Sequence, residues 1–123
     1  EREILSVVDD QITCPTPAID IATVIWQIAS KIFDEKNRWG TYHYCATPTI
    51  SWHGFAETII NEAKKYKKMQ VKEIKKISSM EYHSPAKRLT NAVMDCHKIK
   101  TTFGISQIPW DIELKKIIKG LLS

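Results

Sequence analysis

Asp10-Gln11-Ile12-Thr13-Cys14-Pro15-Thr16-Pro17-Ala18-Ile19-Asp20-Ile21-Ala22 is the stretch from which the rest of the chain is read. An apolar run, Ile4-Leu5-Ser6-Val7-Val8, feeds into it and predicts a strand. The polar loop then ends in a helix start. Thr16 is suited to the N-cap, and Pro17 to the first helical position, where a missing N–H costs nothing. The local order is strand, loop, helix.

Downstream, residues 17–36 read as a helix with Ala22, Ile25, Trp26, Ala29, Ile32 and Phe33 on one face. Thr41 to Cys45 alternates two tyrosines with His43 and Cys45, the pattern of a short strand. Thr47-Pro48-Thr49 is a turn. Ser51 is placed to cap a second helix that buries Trp52, Phe55, Ala56, Ile59 and Ala63. Residues 71–77 suit helix and strand equally, because Val71, Ile74 and Ile77 are three apart. Asn91 to Asp95 reads as extended, with Asp95 capping a short helix that stops at Gly104. Pro109 opens the last helix, with Trp110, Leu114, Ile117, Ile118 and Leu121 on one side. The expected fold class is α+β: about four helices with short strands in one small domain.

Composition narrows the function classes. The 123 residues are 43% hydrophobic, enough for a core, and no apolar run approaches a membrane span of about 20 residues. Cys14, Cys45 and Cys96 are odd in number, far apart in sequence and without a Cys-x-x-Cys, as expected of reduced thiols in a cytoplasmic protein. The net charge of +4 owes much to Lys64, Lys65, Lys67, Lys68, Lys72, Lys75 and Lys76. Only Tyr66 interleaves with them, so a solvated surface is expected there rather than a nucleic-acid or membrane contact.

Asp-Gln-x-x-x-Pro-Thr before a helix resembles the segment that opens the substrate-binding part of the dTDP-4-dehydrorhamnose reductase family, a branch of the extended short-chain dehydrogenases/reductases. Gly40-Thr41-Tyr42-His43 is similar to that family's Gly-x-Tyr-His strand. Ser51-Trp52-His53-Gly54-Phe55-Ala56 is similar to its Ser/Thr-Trp-x-x-Phe-Ala helix start. The segment from Pro85 to Asp95 matches its Pro-Ala-x-Arg-Pro-x-Asn-Ser-x-Leu, with Leu89 and Ala92 in place of the usual Pro and Ser. Phe103-Gly104-Ile105 and Pro109-Trp110 match the close of the domain. The resemblance also favours a strand over 71–77.

The resemblance implies that residues 1–123 form a nucleotide-sugar-binding domain, with the Rossmann domain absent from this chain. Glycine occurs at 40, 54, 104 and 120 alone, so no Gly-rich phosphate loop can form. No tyrosine has a lysine four residues on, so the family's Tyr-x-x-x-Lys pair is missing. The chain reads as a C-terminal portion, inactive alone, although a start at Glu1 fits a fragment and a mature chain equally. In that family the whole enzyme uses NADPH, or NADH, to reduce a dTDP-linked 4-keto sugar to dTDP-L-rhamnose for surface polysaccharide. The implied partners are the dTDP-linked sugar and the chain's own Rossmann domain. The first strand would join the Rossmann sheet; left alone, its open edge would be a homodimer or aggregation contact. Rival readings are a regulatory interaction protein akin to the regulatory subunit of methionine adenosyltransferase, a reductase for another nucleotide-linked keto sugar, and a free-standing binding module.

For the site, Arg88 suits a diphosphate because its planar fork binds two oxygens at once. Lys87 would add a point charge. Gln11 and Thr16 would hydrogen-bond the sugar or the base, and Tyr82 would stack or hydrogen-bond. Trp52 and Trp110 are expected as core anchors. A crevice against the cofactor domain is the expected place for the pocket. No metal is expected. His43, His53, His83 and His97 lack paired ligand spacing, and Ile19 stands where some relatives carry an acidic residue near a metal. Cys96 and His97, adjacent on a helix, point about 100° apart and make a poor nucleophile–base pair.

Overall fold

The computed structural model describes residues 2–32, 38–82, 85–86 and 88–123. In chain order the elements are β1 (Ile4–Val8), β2 (Ile12–Thr13), α1 (Ala18–Ile32), β3 (Ile50–Ser51), α2 (Trp52–Ala63), β4 (Glu73–Ile77), α3 (His97–Phe103) and α4 (Trp110–Leu122). β1 pairs in parallel with β4, from Ile4 opposite Glu73 to Val8 opposite Ile77. β2 and β3 form a short antiparallel pair. No described helix is long and apolar enough to cross a membrane.

The expectation that β1 lacks a partner within the chain is therefore corrected. The 71–77 segment is its partner, held at one end by Lys72 N–H to Glu3 O at 2.8 Å and at the other by Asp9 N–H to Ile77 O at 3.0 Å. Among the described residues the second edge of β1 stays unpaired.

α1 begins one residue later than its sequence suggests. The Pro17 carbonyl accepts the first helical amides, from Asp20 at 3.1 Å and Ile21 at 3.3 Å. Thr16 does not cap. Its hydroxyl donates to Cys14 O at 2.9 Å and accepts from Ala46 N–H at 3.1 Å, which locks the loop to the 42–46 segment. The packed face also differs. Val24 is buried and Ile28 and Ile32 lie against the core, while Ile25 is 60% and Trp26 76% exposed. The helix carries apolar residues on more than one side, so its periodicity admits two stripes, and the i, i+4 row from Val24 is the one that meets the core. Phe33 and the far end of the expected helix lie outside the described residues.

Thr41 to Cys45 forms no strand. The alternation holds for Tyr42 and Tyr44, half-buried on either side of exposed His43, and breaks at Cys45, which is buried in the core instead of facing out with His43. Side chains satisfy its backbone instead of a ladder. Cys45 N–H donates to Cys96 Sγ at 3.3 Å, and Gln107 Nε2 donates to Cys45 O at 3.0 Å. The Thr47–Pro48 bond that follows is cis. Ser51 caps α2 as expected, accepting Gly54 N–H at 3.0 Å. α3 ends on Gly104, whose φ of 69° is the left-handed conformation glycine tolerates best.

The core gathers Cys14, Val24, Cys45, Cys96, Ile99, Phe103 and Ile105. The three cysteines, remote in sequence, meet here as free thiols, with Cys45 and Cys96 Sγ 3.8 Å apart. Burial, helped by contact with Cys45, pushes the Cys14 thiol up to about 11. Trp110 is the anchor its sequence suggests: it is buried, and its indole N–H donates to Pro48 O at 2.7 Å.

Thr16→Val keeps the shape but leaves the Cys14 carbonyl and the Ala46 amide without their shared partner. A loss of about 1–3 kcal/mol is expected, read as a lower urea midpoint with unchanged slope. An unchanged midpoint would show that water replaces the hydroxyl at both positions.

Candidate functional site

β1 ends in two aspartates that do different structural work. Asp9 accepts Ser51 Oγ at 2.6 Å and meets Lys76 Nζ at 3.0 Å, so one carboxylate joins the end of β1, the cap of α2 and β4. These two hydrogen bonds, Ser51 first, hold the Asp9 carboxyl below its ordinary value. His53 sits behind them, buried. Its Nε2 donates to Ile74 O at 3.0 Å, while Nδ1 lies 3.4 Å from Glu57 and 3.9 Å from Asp9. It bolts α2 onto β4.

Asp10 faces the turn after β4. It accepts Ser79 Oγ at 2.7 Å and Ser79 N–H at 3.0 Å, and these bonds lower its pKa. Gln11 joins the same knot: it is buried, and its Nε2 donates to Ser79 Oγ at 2.8 Å. The turn is closed by Glu81, which accepts from Ser78 N–H at 2.6 Å and Ser78 Oγ at 2.8 Å. Tyr82 follows directly and is exposed.

The third segment docks through Ile12. Its N–H donates to Thr90 O, and its carbonyl accepts Ala92 N–H, both at 2.9 Å. Arg88 stands just before this clamp, exposed, and forms no ion pair with a described carboxylate. The two departures from the family pattern leave the clamp intact. Leu89 is 74% exposed, and Ala92 contributes its backbone rather than its side chain.

These segments enclose a groove of about 410 Å³. Its floor is Ser6, Val7 and Val8 of β1, and Gln11, Trp52, Tyr82 and Arg88 complete the lining. Gln11, Tyr82 and Arg88 are thus brought together. Thr16 stands apart, in a smaller apolar pocket of about 260 Å³ beside Phe55 and Trp110, with its hydroxyl already engaged. Lys87 lies outside the described residues. Trp52, expected in the core, is 46% exposed and forms a wall of the groove. Its place in the first turn of α2 was the available signal, since a residue at a helix end can overhang the core its helix packs on.

The lining of the groove is that of a binding site. It presents the Arg88 guanidinium, the Tyr82 phenol, the Gln11 amide, the Trp52 indole and the Ser6–Val8 stretch of β1. Among the described residues no three His, Cys, Asp or Glu side chains converge as a metal cage.

Residues 1–123 match the family model of the RmlD substrate binding domain. The chain is 42% identical over 118 residues to a dTDP-4-dehydrorhamnose reductase of Aggregatibacter actinomycetemcomitans, covering 94% of this chain and 40% of that protein. It is 32% identical over 120 residues to the reductase of the same name from Sinorhizobium fredii, covering 96% of this chain and 40% of the relative. Among solved structures, a dTDP-4-dehydrorhamnose reductase ortholog of Clostridium acetobutylicum superposes with a TM-score of 0.81 at 31% identity, over 99% of this chain and 40% of that one. The reductase of Bacillus anthracis, solved in complex with NADP, gives 0.79 at 28% identity, over 97% of this chain and 39% of that one. The α+β arrangement of four helices and short strands is shared with these structures, and the chain spans about two-fifths of the length of the relatives it matches.

Because the folded Asp9 carboxyl lies below its ordinary value of 3.8, its contribution to stability is complete above about pH 5 and is lost progressively as pH falls through 3.8 to the folded value. Asp9→Asn removes that contribution at every pH. The stability gap between the two proteins, followed by urea unfolding, is expected to be constant near neutrality and to close in acid. A gap that persists unchanged below pH 3 would assign the difference to something other than the carboxylate charge.

Proposed function

Since the chain belongs to the RmlD substrate binding domain family, we propose that it is the substrate-gripping part of a dTDP-4-dehydrorhamnose reductase, the enzyme that reduces dTDP-4-dehydro-L-rhamnose to dTDP-L-rhamnose. The observation that carries this reading is the groove itself. It joins an unpaired guanidinium, a phenol and a buried amide from three separate segments over an apolar floor. A nucleotide sugar has a matching set of parts: two phosphates for Arg88, hydroxyls for Gln11 and Tyr82, and ring surface to lie along β1. Lys87, next to Arg88 in sequence, is a second cation for the diphosphate in this reading. Thr16 serves by holding the loop rather than by touching the ligand.

Cofactor chemistry belongs to a Rossmann domain in this reading. NADPH supplies the hydride there, as the NADP bound to the Bacillus anthracis relative suggests. This chain's own residues do not fit a dinucleotide site, because its four glycines are dispersed and build no phosphate-cradling turn. What the groove contributes is orientation. Holding the diphosphate and the sugar in one pose turns a diffusive encounter into a positioned one. The free edge of β1 is where the sheet of the cofactor domain would continue.

In the full-length enzyme, Arg88→Ala is expected to weaken binding of the dTDP-linked sugar by about 1.5–3 kcal/mol, the range for hydrogen bonds to charged groups. Isothermal titration with dTDP, alongside NADPH-dependent turnover, measures this. Full affinity in a folded Arg88→Ala enzyme would remove Arg88 from the site, and wild-type protein that neither binds dTDP nor turns over would overturn the assignment.

A further inference from the structure

We propose that Trp52 is the stacking wall for the nucleobase, and so the residue by which this groove prefers a nucleotide to a bare diphosphate. The inference rests on the nucleotide-sugar reading above and adds a role to a residue that reading does not use.

Trp52 and Trp110 are opposites. Trp110 is 4% exposed and its indole N–H is bonded to Pro48 O. Trp52 is 46% exposed, and among the described residues its indole nitrogen makes no hydrogen bond. Exposure alone would mean little for one aromatic side chain. Two further observations separate Trp52 from the other exposed tryptophans, Trp26 and Trp39. It lines the groove that holds Arg88, and neither of them does. It is also braced. Phe55 meets the indole at 6.3 Å with 65° between rings, and Trp110 meets Phe55 in turn at 5.4 Å and 88°. The backbone is pinned as well, with Trp52 N–H donating to Gln11 O at 3.3 Å.

A rigid, flat, apolar surface held open beside a free guanidinium matches the chemistry of a nucleotide. The guanidinium takes phosphate oxygens. The base is the planar and least polar part of the ligand, and it gains by covering the indole. A hexose carries hydroxyls around its ring and fits an apolar wall less well. Because the indole is already fixed, stacking on it requires little further ordering of the protein.

The test uses the full-length protein that carries this chain, with Trp52→Leu and Trp52→Phe beside wild type. Each is titrated with dTDP, dTDP-L-rhamnose and inorganic pyrophosphate, by calorimetry and by tryptophan emission. dTDP is expected to quench wild-type emission. Trp52→Leu should lose most of that quenching and bind dTDP and dTDP-L-rhamnose about tenfold or more weakly, the scale of one base on one aromatic wall. Pyrophosphate affinity should stay unchanged. Trp52→Phe keeps a ring against Phe55 and should fall between the two; it decides the matter if the leucine variant does not fold. Unchanged dTDP affinity in both variants would overturn the inference and leave the indole as packing against the cofactor domain. An equal loss for pyrophosphate, or a loss confined to dTDP-L-rhamnose, would overturn it too, pointing to a damaged groove or to stacking on the sugar. If wild type binds pyrophosphate but not dTDP, the nucleotide-sugar reading falls first and this inference with it.

Discussion

The Asp9 carboxylate ties together three segments that are far apart in sequence. It accepts Ser51 Oγ and meets Lys76, so the end of β1, the start of α2 and β4 share a single anchor. Ser51 has two roles at that point, donating to Asp9 while accepting Gly54 N–H. The register of β1 against β4 and the entry angle of α2 are therefore coupled. Both shape the candidate groove, because β1 and the first residue of α2 line it. Asp10 and Ile12 extend the arrangement to the turn that carries Tyr82 and to the segment that carries Arg88.

Local chemistry was legible in the sequence where a feature depends on its immediate neighbours. The Ser51 cap, the Gly104 stop and the bounds of β1 belong to this class. The parallel partner of β1 does not. Residues 71–77 lie far along the chain, and three apolar residues spaced three apart carry no sign of which edge they will meet. The ladder with β1 decides in favour of a strand. Thr41 to Cys45 shows the reverse case. Its alternation placed the two tyrosines inward but missed the burial of Cys45, because the amide of Cys45 and the amide of Ala46 go to Cys96 Sγ and Thr16 Oγ1 instead of a neighbouring strand. Alternation reports facing only where a ladder keeps the pleat, and it is silent on what satisfies the backbone.

The site followed the same division. Arg88, Gln11 and Tyr82 were singled out by motif and chemistry, and they line one groove. Thr16 belongs to the same motif as Gln11 but turns the other way, because its hydroxyl is needed by Cys14 and Ala46. Trp52 shares its helical face with residues that are half-buried or buried, such as Phe55 and Ala63, but at the end of the helix that face runs past the core. Periodicity specifies a direction around a helix axis, and where the core stops along that axis is a tertiary matter.

The meeting of Cys14, Cys45 and Cys96 in one core has a practical consequence. A maleimide or an aromatic disulfide reagent can reach these sulfurs only when the packing around Ile99 and Phe103 opens, and burial further reduces the thiolate on Cys14 and Cys96. The rate at which the native protein consumes such a reagent is therefore a clock for transient opening of its own interior. With the sulfurs coming from the loop before α1, the extended segment after Gly40 and the start of α3, peptide mapping of the labelled chain would resolve which of these regions opens first.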